Sequence, residues 1–327
     1  MDWPDVGEHT ATRLSDGRVL VVGEVMMCGS AGCVAHGGAL FDPQTDTWSA
    51  IADAPAPLEG RTATLLDDGR VVLVGGADVL HHTTAAVLTF DPASNAFVPA
   101  PPLAASLAYH TASRLNDGRV IITGGHRREG TDDLVLAAVQ IYDAVTETWI
   151  EGTSLVSPRE RHTASVTGNA VLIAGGVGLL DGVPRPTATT EIYDAALDEW
   201  QVVGYLAGPA VGHTMTALTT GAGVLVVSNG VGAMTKTPFS QWEPTGEMQR
   251  PRSNHVATPL RDGRVMVAGG SPYQPLLIAE IYDPATSTWS TTCEQPAEIT
   301  AGSATLLDDG RVLVISGRPL LFHAPSN

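Results

Sequence analysis

The sequence predicts an all-β chain of repeated four-stranded antiparallel units, and three observations carry that prediction. One phrase recurs seven times, most copies contain an Asp-Gly turn signal, and five copies are followed at fixed spacing by an aromatic pair. The phrase reads HTATRLSDGRVLVVGE from His9, RTATLLDDGRVVLVGG from Arg61, HTASRLNDGRVIITGG from His110, HTASVTGNAVLIAGG from His162, HTMTALTTGAGVLVVSNG from His213, HVATPLRDGRVMVAGG from His255 and GSATLLDDGRVLVISG from Gly302, at intervals of 42 to 52 residues. Self-similarity at such a period marks a fold of stacked supersecondary units.

Within each unit the first element is an alternating stretch and the second a Val/Leu/Ile run, joined at Asp16-Gly17, Asp68-Gly69, Asp117-Gly118, Asp262-Gly263 and Asp309-Gly310. Asp-Gly suits a two-residue type I′ turn, in which both central residues need positive φ. That register places His9 opposite Glu24, His110 opposite Gly125 and His255 opposite Gly270. The second strand ends in a diglycine (Gly75-Gly76, Gly124-Gly125, Gly175-Gly176, Gly269-Gly270), expected to leave room for aromatics to pack on backbone. After a variable loop come the third and fourth strands, in LFDPQTDTW, TFDPASNAF, IYDAVTETW, IYDAALDEW and IYDPATSTW. Their aromatics lie seven residues apart: Phe41/Trp48, Phe90/Phe97, Tyr142/Trp149, Tyr193/Trp200 and Tyr282/Trp289. The fifth unit has no Tyr-Asp phrase between Gly230 and Trp242, which leaves its third strand open.

Four antiparallel strands per unit, repeated radially, describe the blades of a β-propeller, whose sheet edges stay short and protected. The spacing, the diglycines, the Tyr-Asp and the Trp resemble kelch repeats, particularly the bacterial "HTATLLPDGRVLVAGG" style, over nearly the whole chain. The termini complete a seven-bladed ring: PLLFHAPSN supplies a third strand without its Trp partner, and MDWPDVGE supplies that partner as Trp3. One N-terminal and three C-terminal strands then close the last blade, so that residues 1–327 form a single domain.

The 327 residues, 43% of them hydrophobic, are enough for a substantial core, and 35 acidic against 18 basic residues give a net charge of −17. That sign opposes nucleic acid and anionic membranes as partners. No apolar run approaches the ~18 residues of a spanning helix and no leader pattern is present, so the chain is expected to be soluble and monomeric, either cytoplasmic or exported with its leader removed. Three cysteines are too few for a disulfide framework.

Function belongs on the face carrying the variable segments, residues 24–38, 77–86, 126–137, 177–188, 231–238 and 271–277, because loops on a rigid scaffold are its usual home. The first strands begin there with Arg61, His9, His110, His162, His213 and His255. A ring of imidazoles invites a metal reading. Membership of the repeat phrase favours a packing and hydrogen-bonding role. Glu24 stands where other blades carry glycine, and opposite His9 it would form a general acid/base pair; a structural ion pair is the competing reading. Cys28, Cys33 and His36 follow as C-x4-C-x2-H, a pattern open to zinc or copper but read in preference as a local disulfide or two inert thiols. Ligand-binding candidates are Arg61, His82, Tyr109, His110, Arg161, His162, His213, Arg252, His255 and Tyr273, since Arg and Tyr at a channel mouth can grip a carboxylate or a sugar. His81, the cluster His126-Arg127-Arg128-Glu129 and the pair Asp132-Asp133 are further charged groups on this face. Glu191 and Glu280, each two residues before a repeat Tyr, read as structural.

Walker, dinucleotide, G-x-S-x-G and HExxH signatures are missing. The family resemblance implies a protein- or ligand-binding scaffold, and its members also include sialic acid mutarotases, iron-dependent specifier proteins and copper-radical oxidases. An E-x3-D-x3-D iron triad is not recognisable, and no copper set can be assigned. The reading is therefore a kelch propeller binding a small molecule or protein at its loop face. Its alternative is an isomerase, lyase or cyclase at Glu24 and His9. No cofactor is required by the sequence, and a metal is left open.

Overall fold

The computed structural model describes residues 4–29, 32–51, 59–130, 132–168, 170–194, 197–219, 223–228, 231–235, 242–270, 278–294, 299 and 302–323. Its backbone is strand and turn throughout. Among the described residues, six four-stranded sheets and a last, three-stranded one follow one another along the chain, each with its strands in sequence order in space, and the segments between strands add a small three-stranded and a two-stranded sheet. The first runs through Asp5–Arg13, Val19–Gly29, Gly32–Asp42 and Thr47–Ala50; the last holds Ser303–Leu306, Arg311–Ile315 and Leu320–His323. The fifth sheet supplies its open third strand as Val231–Thr235. Trp3 and the strand expected around it lie outside the described residues.

The Val/Leu/Ile run of the second strand is buried on both faces, which explains why it is unbroken: Val71–Val74 and Val120–Thr123 are buried at every position. These strands feed core clusters that each join two sheets. Leu20 and Val22 of the first sheet meet Leu73 and Phe90 of the second, and Val19, Val21 and Phe41 meet Leu313 and Ile315 of the last. The expected aromatic pairs sit directly across the outer hairpins, with ring centroids 4.9–5.2 Å apart. The offset, tilted arrangement adds about 0.5–1.5 kcal/mol per pair beyond burial.

The Asp-Gly turns differ from expectation. Arg13 pairs with Val19, Leu14 N–H donates to Arg18 O at 2.8 Å and Gly17 N–H to Leu14 O at 3.1 Å, which makes a three-residue loop. Only the glycine has positive φ, +90° at Gly17, so this is a type I turn with a glycine bulge. The Asp16 carboxylate explains the choice: it accepts Arg18 N–H at 3.0 Å and Arg18 Nε–H at 2.8 Å, both of which lie beyond the turn. The anchored guanidinium then reaches Pro92 O in the next sheet at 2.9 Å. Arg70 reaches Ala144 O, and Arg311 of the last sheet reaches Pro43 O of the first, in the same manner.

The longer loop shifts the register by one residue. His9 lies opposite Gly23, and Glu24 faces a bulge at Gly7 and Glu8. The same shift puts Thr111 opposite Thr123 and Val256 opposite Ala268, which corrects the pairings of His110 with Gly125 and His255 with Gly270.

The diglycines make room for the neighbouring sheet rather than for aromatics. A Cβ on Gly124, at φ +60°, would stand 2.4 Å from Arg159 O and 3.0 Å from His162 Cε1, while Gly125 N–H donates to Arg159 O at 2.8 Å. Gly124→Ala is therefore expected to destabilise the fold by about 2–4 kcal/mol, read from urea melts. A loss under about 0.5 kcal/mol would contradict the close approach.

Candidate functional site

In five of the sheets the residue before the repeat His or Arg carries the variation on the loop face. Gly60, Tyr109, Arg161, Gly212 and Asn254 occupy this lead-in position, and all five have φ between +53° and +65°. Glycine adopts that conformation freely, whereas a bulky side chain does so against a penalty of roughly 1–2 kcal/mol. Backbone bonds from one sheet to the next hold it: Tyr109 N–H to Gly60 O at 2.9 Å, Arg161 N–H to Tyr109 O at 2.9 Å and Asn254 N–H to Gly212 O at 2.7 Å.

Two of these strained positions meet. The Arg161 guanidinium lies 3.8 Å above the Tyr109 ring centroid, and the Tyr109 hydroxyl donates to Glu59 Oε2 at 2.6 Å. Burial first, and the Glu59 carboxylate second, push the Tyr109 pKa up to about 12, so the phenol stays a donor at neutral pH. His81, at φ +62°, places Nδ1 3.8 Å from the same Glu59 carboxylate. Arg161 is exposed and forms no ion pair among the described residues. A guanidinium stacked in this way keeps its N–H edges available for bidentate contact with an anion.

The segments above this group are ordered hairpins, not irregular loops. His126–Glu129 pairs with Asp132–Val135 in the third sheet's loop, and Val177–Leu180 pairs with both Val183–Pro186 and the lead-in Arg159–Glu160 in the fourth. His126 anchors its hairpin to the next sheet, with Nε2 2.9 Å from Asp133 Oδ1 and Nδ1 3.4 Å from Glu160 Oε2. Exposed aliphatic side chains crown the face: Val79, Leu80, Leu134, Leu179, Leu180 and Val183.

The histidines of the repeat phrase are spent inside the fold. His110, His162, His213 and His255 are buried, and each Nε2 contacts a Thr of the preceding sheet: Thr62 at 2.8 Å, Thr111 at 3.0 Å, Thr163 at 2.8 Å and Thr214 at 2.8 Å. Burial drives the pKa of His110 and His255 down to about 3 and of His213 to about 4, and lowers His162 well below its ordinary value, so all four are neutral at pH 7. His9 follows the pattern, with Ser303 of the last sheet in place of Thr.

Other expected ligand groups are also committed elsewhere. Arg252 is 1% exposed and gives its guanidinium to Glu280 at 2.7 Å. Arg159, not anticipated, makes the equivalent bond to Glu191 at 2.5 Å, and both carboxylates are fully buried, in keeping with their structural reading. Arg61 is half-buried, donates Nε–H to Gly75 O at 3.2 Å and has its pKa lowered to about 10 by burial. His82 is exposed beside Asp78, whose carboxylate accepts the backbone N–H groups of Leu80 and His82. Glu24 is exposed, and a Cβ on Gly7 would stand 2.6 Å from its Oε2; His9 Nδ1 bonds to Gly7 O at 2.7 Å instead, so the expected His9–Glu24 contact is corrected. Cys33 is disulfide-bonded and lies directly across its hairpin from Cys28, which removes a free Cys33 thiolate as a metal ligand. Tyr273 and the His36 side chain lie outside what the structure describes. Among the described residues, no group of three or more His, Cys, Asp or Glu could hold a metal ion, and no helix is long and apolar enough to cross a membrane.

Glu59 and Glu160 had no signal in the sequence, since both lie outside the repeat phrase. Tyr109 and Arg161 stood out beside the repeat His as a Tyr and an Arg able to grip a carboxylate or a sugar.

No family model matches the chain. A 102-residue segment, 31% of this chain, is 31% identical to Kelch-like protein 7 of Rattus norvegicus and equally to that of Mus musculus, and it spans only 16% of those proteins. Among solved structures, a fungal alcohol oxidase of the AA5 family in complex with copper superposes with a TM-score of 0.76 at 18% identity, over 96% of this chain and 70% of the oxidase. YjhT superposes with a TM-score of 0.63 at 14% identity, over 88% of this chain and 97% of its own. At such identities the structures speak for the fold alone. Recurrent repeat phrases, sheets of four sequential antiparallel strands and these likenesses together make the chain a kelch-repeat β-propeller.

Proposed function

We propose that this is a seven-bladed propeller, monomeric and without bound nucleic acid or membrane, whose loop face binds a ligand or a protein segment around Tyr109, Glu59 and Arg161. The blade count rests on the cyclic neighbourhood of the inner strands, with Ser303–Leu306 beside Asp5–Arg13. The Arg311 contact to Pro43 O, which repeats the Arg18 and Arg70 contacts, supports the same closure. A closing strand around Trp3 remains part of the proposal.

The observation that carries the binding reading is Arg161, a guanidinium fixed on an aromatic ring and exposed, in a chain of net charge −17. Tyr109 and Arg161 hold by inter-sheet backbone bonds a positive φ that glycine would adopt at less cost, as Gly60 and Gly212 do. An isomerase, lyase or cyclase at Glu24 and His9 has less support, because the two side chains are not in contact.

The test is a thermal-shift screen of carboxylates, phosphates, sugars and acidic peptides. A bound compound should raise the melting temperature of the wild-type chain, and Arg161→Ala should weaken it by 10-fold or more, as expected for about 1.5–3 kcal/mol from a charge-assisted bond. Equal affinity in Arg161→Ala would remove this group from the binding site.

A further inference from the structure

We propose that Ser303 and His9 form a nucleophilic dyad, beside a cavity that His9 and Gly302 line at the seam of the first and last sheets, that hydrolyses small acyl esters. This goes beyond the binding reading and does not depend on it. The Ser303 Oγ to His9 Nε2 distance is 2.7 Å, and both residues are half-buried. A cavity of about 370 Å³ is lined by His9, Glu8, Val6, Gly7, Gly302, Ser316 and Gly317. Three of its lining residues are glycines, one of them Gly302 next to Ser303, and the imidazole that meets the hydroxyl lines it as well. A backbone bond from Val6 N–H to Gly317 O, 2.9 Å, joins the two sheets at the same place.

The same hydroxyl–imidazole contact recurs in four other places, where it is structural. The seam differs in three respects. It uses Ser, a less hindered nucleophile than Thr. Its imidazole is half-buried at a cavity, whereas the other four are buried. Its tautomer is also fixed in the useful sense. His9 Nδ1 lies 2.7 Å from Gly7 O, and a carbonyl only accepts, so Nδ1 carries the proton and the Nε2 lone pair faces the Ser303 hydroxyl. His213 has the opposite arrangement: its Nε2 donates to Ala174 O at 3.0 Å, and Thr163 must accept.

In the reaction, Ser303 Oγ attacks the ester carbonyl carbon while its proton passes to His9 Nε2. The C–O bond to the alcohol breaks, and the alcohol leaves with that proton. Water, giving a proton to His9, then attacks the acyl-serine. Its C–O bond breaks, the carboxylic acid departs, and Ser303 recovers the proton.

The full-length protein would be treated with a fluorophosphonate and, separately, with p-nitrophenyl acetate, and the modified residue mapped by mass spectrometry. The expected result is a phosphonyl adduct and an acetyl adduct on Ser303, with a burst of p-nitrophenolate. Ser303→Thr recreates the contact of the other sheets, so its melting temperature should stay near wild type while acylation slows by about 100-fold or more. His9→Gln should slow acylation similarly. No adduct on Ser303 in the folded wild-type protein, or an acylation rate that His9→Gln does not alter, overturns the proposal. Should the variants not fold, the adduct site in the wild-type chain still decides.

Discussion

Arg159→Met is expected to destabilise the protein by about 3–5 kcal/mol, among the largest effects of any single replacement in this chain. Arg159 and Glu191 are fully buried, so the variant strands a carboxylate away from water. The guanidinium also donates to Gly175 O and Thr189 O at 3.1 Å and to Thr189 Oγ1 at 2.8 Å, and those acceptors would lose this donor. Glu191 has its own duties, accepting Val156 N–H at 2.8 Å and Ser157 N–H at 3.1 Å. The double variant Arg159→Met, Glu191→Gln should therefore recover part of the loss, since the amide oxygen still accepts and the buried charge is gone. Urea melts of the three proteins at neutral pH decide it. A single-variant loss below about 1 kcal/mol would mean that water reaches the carboxylate.

Acidification from pH 7 to pH 5 is expected to remove about 7 kcal/mol of stability, if the four buried histidines titrate independently. Burial holds His110 and His255 near 3 and His213 near 4, with His162 also well below its ordinary value. The folded pKa values lie below the unfolded value of about 6.5, so the unfolded chain binds more protons throughout this interval. The contribution is whole above pH 6.5 and declines as pH falls toward 3–4, by about 1.4 kcal/mol per pH unit for each histidine. Urea midpoints across pH 7 to 5 should fall steeply, and His213→Gln should reduce the slope by about a quarter. A flat profile, or a slope untouched by that substitution, would show that these imidazoles are not neutral and enclosed.

The strands, the aromatic pairs and the sheet order could be read from the sequence because they repeat locally. The turn class could not: Asp-Gly signals a tight hairpin, but whether Leu14 and Arg18 close it depends on the Asp16 carboxylate reaching past the glycine. That one-residue difference separated Glu24 from His9. The purpose of the diglycines was hidden for another reason, since the carbonyl each one admits belongs to the next sheet, as Arg159 O does for Gly124. The buried struts left a usable trace. Arg stands three residues before the repeat His only at Arg159 and Arg252, in the two blades that carry Glu before Ile-Tyr-Asp, at Glu191 and Glu280. The Tyr109 group combines one residue beside the phrase, one in the next repeat and Glu59 from a linker, so no spacing rule connects them.

The histidine contacts run in one direction round the molecule, from each hydroxyl to the imidazole of the sheet that follows. They are missing at two junctions. Arg61 replaces His at the start of the second sheet and leaves the Thr10 hydroxyl buried without a partner. Gly302 replaces His at the start of the last sheet, and there Val256 has replaced the Thr that would have met it. In the proposed ring, a chain of clasps with two left unfastened divides the circle into a long arc, the second to sixth sheets, and a short one, the last sheet with the first. Under heat or load the circle should part at those two unfastened places. The short arc holds the Ser303–His9 contact, so it would come away as one piece with that contact intact.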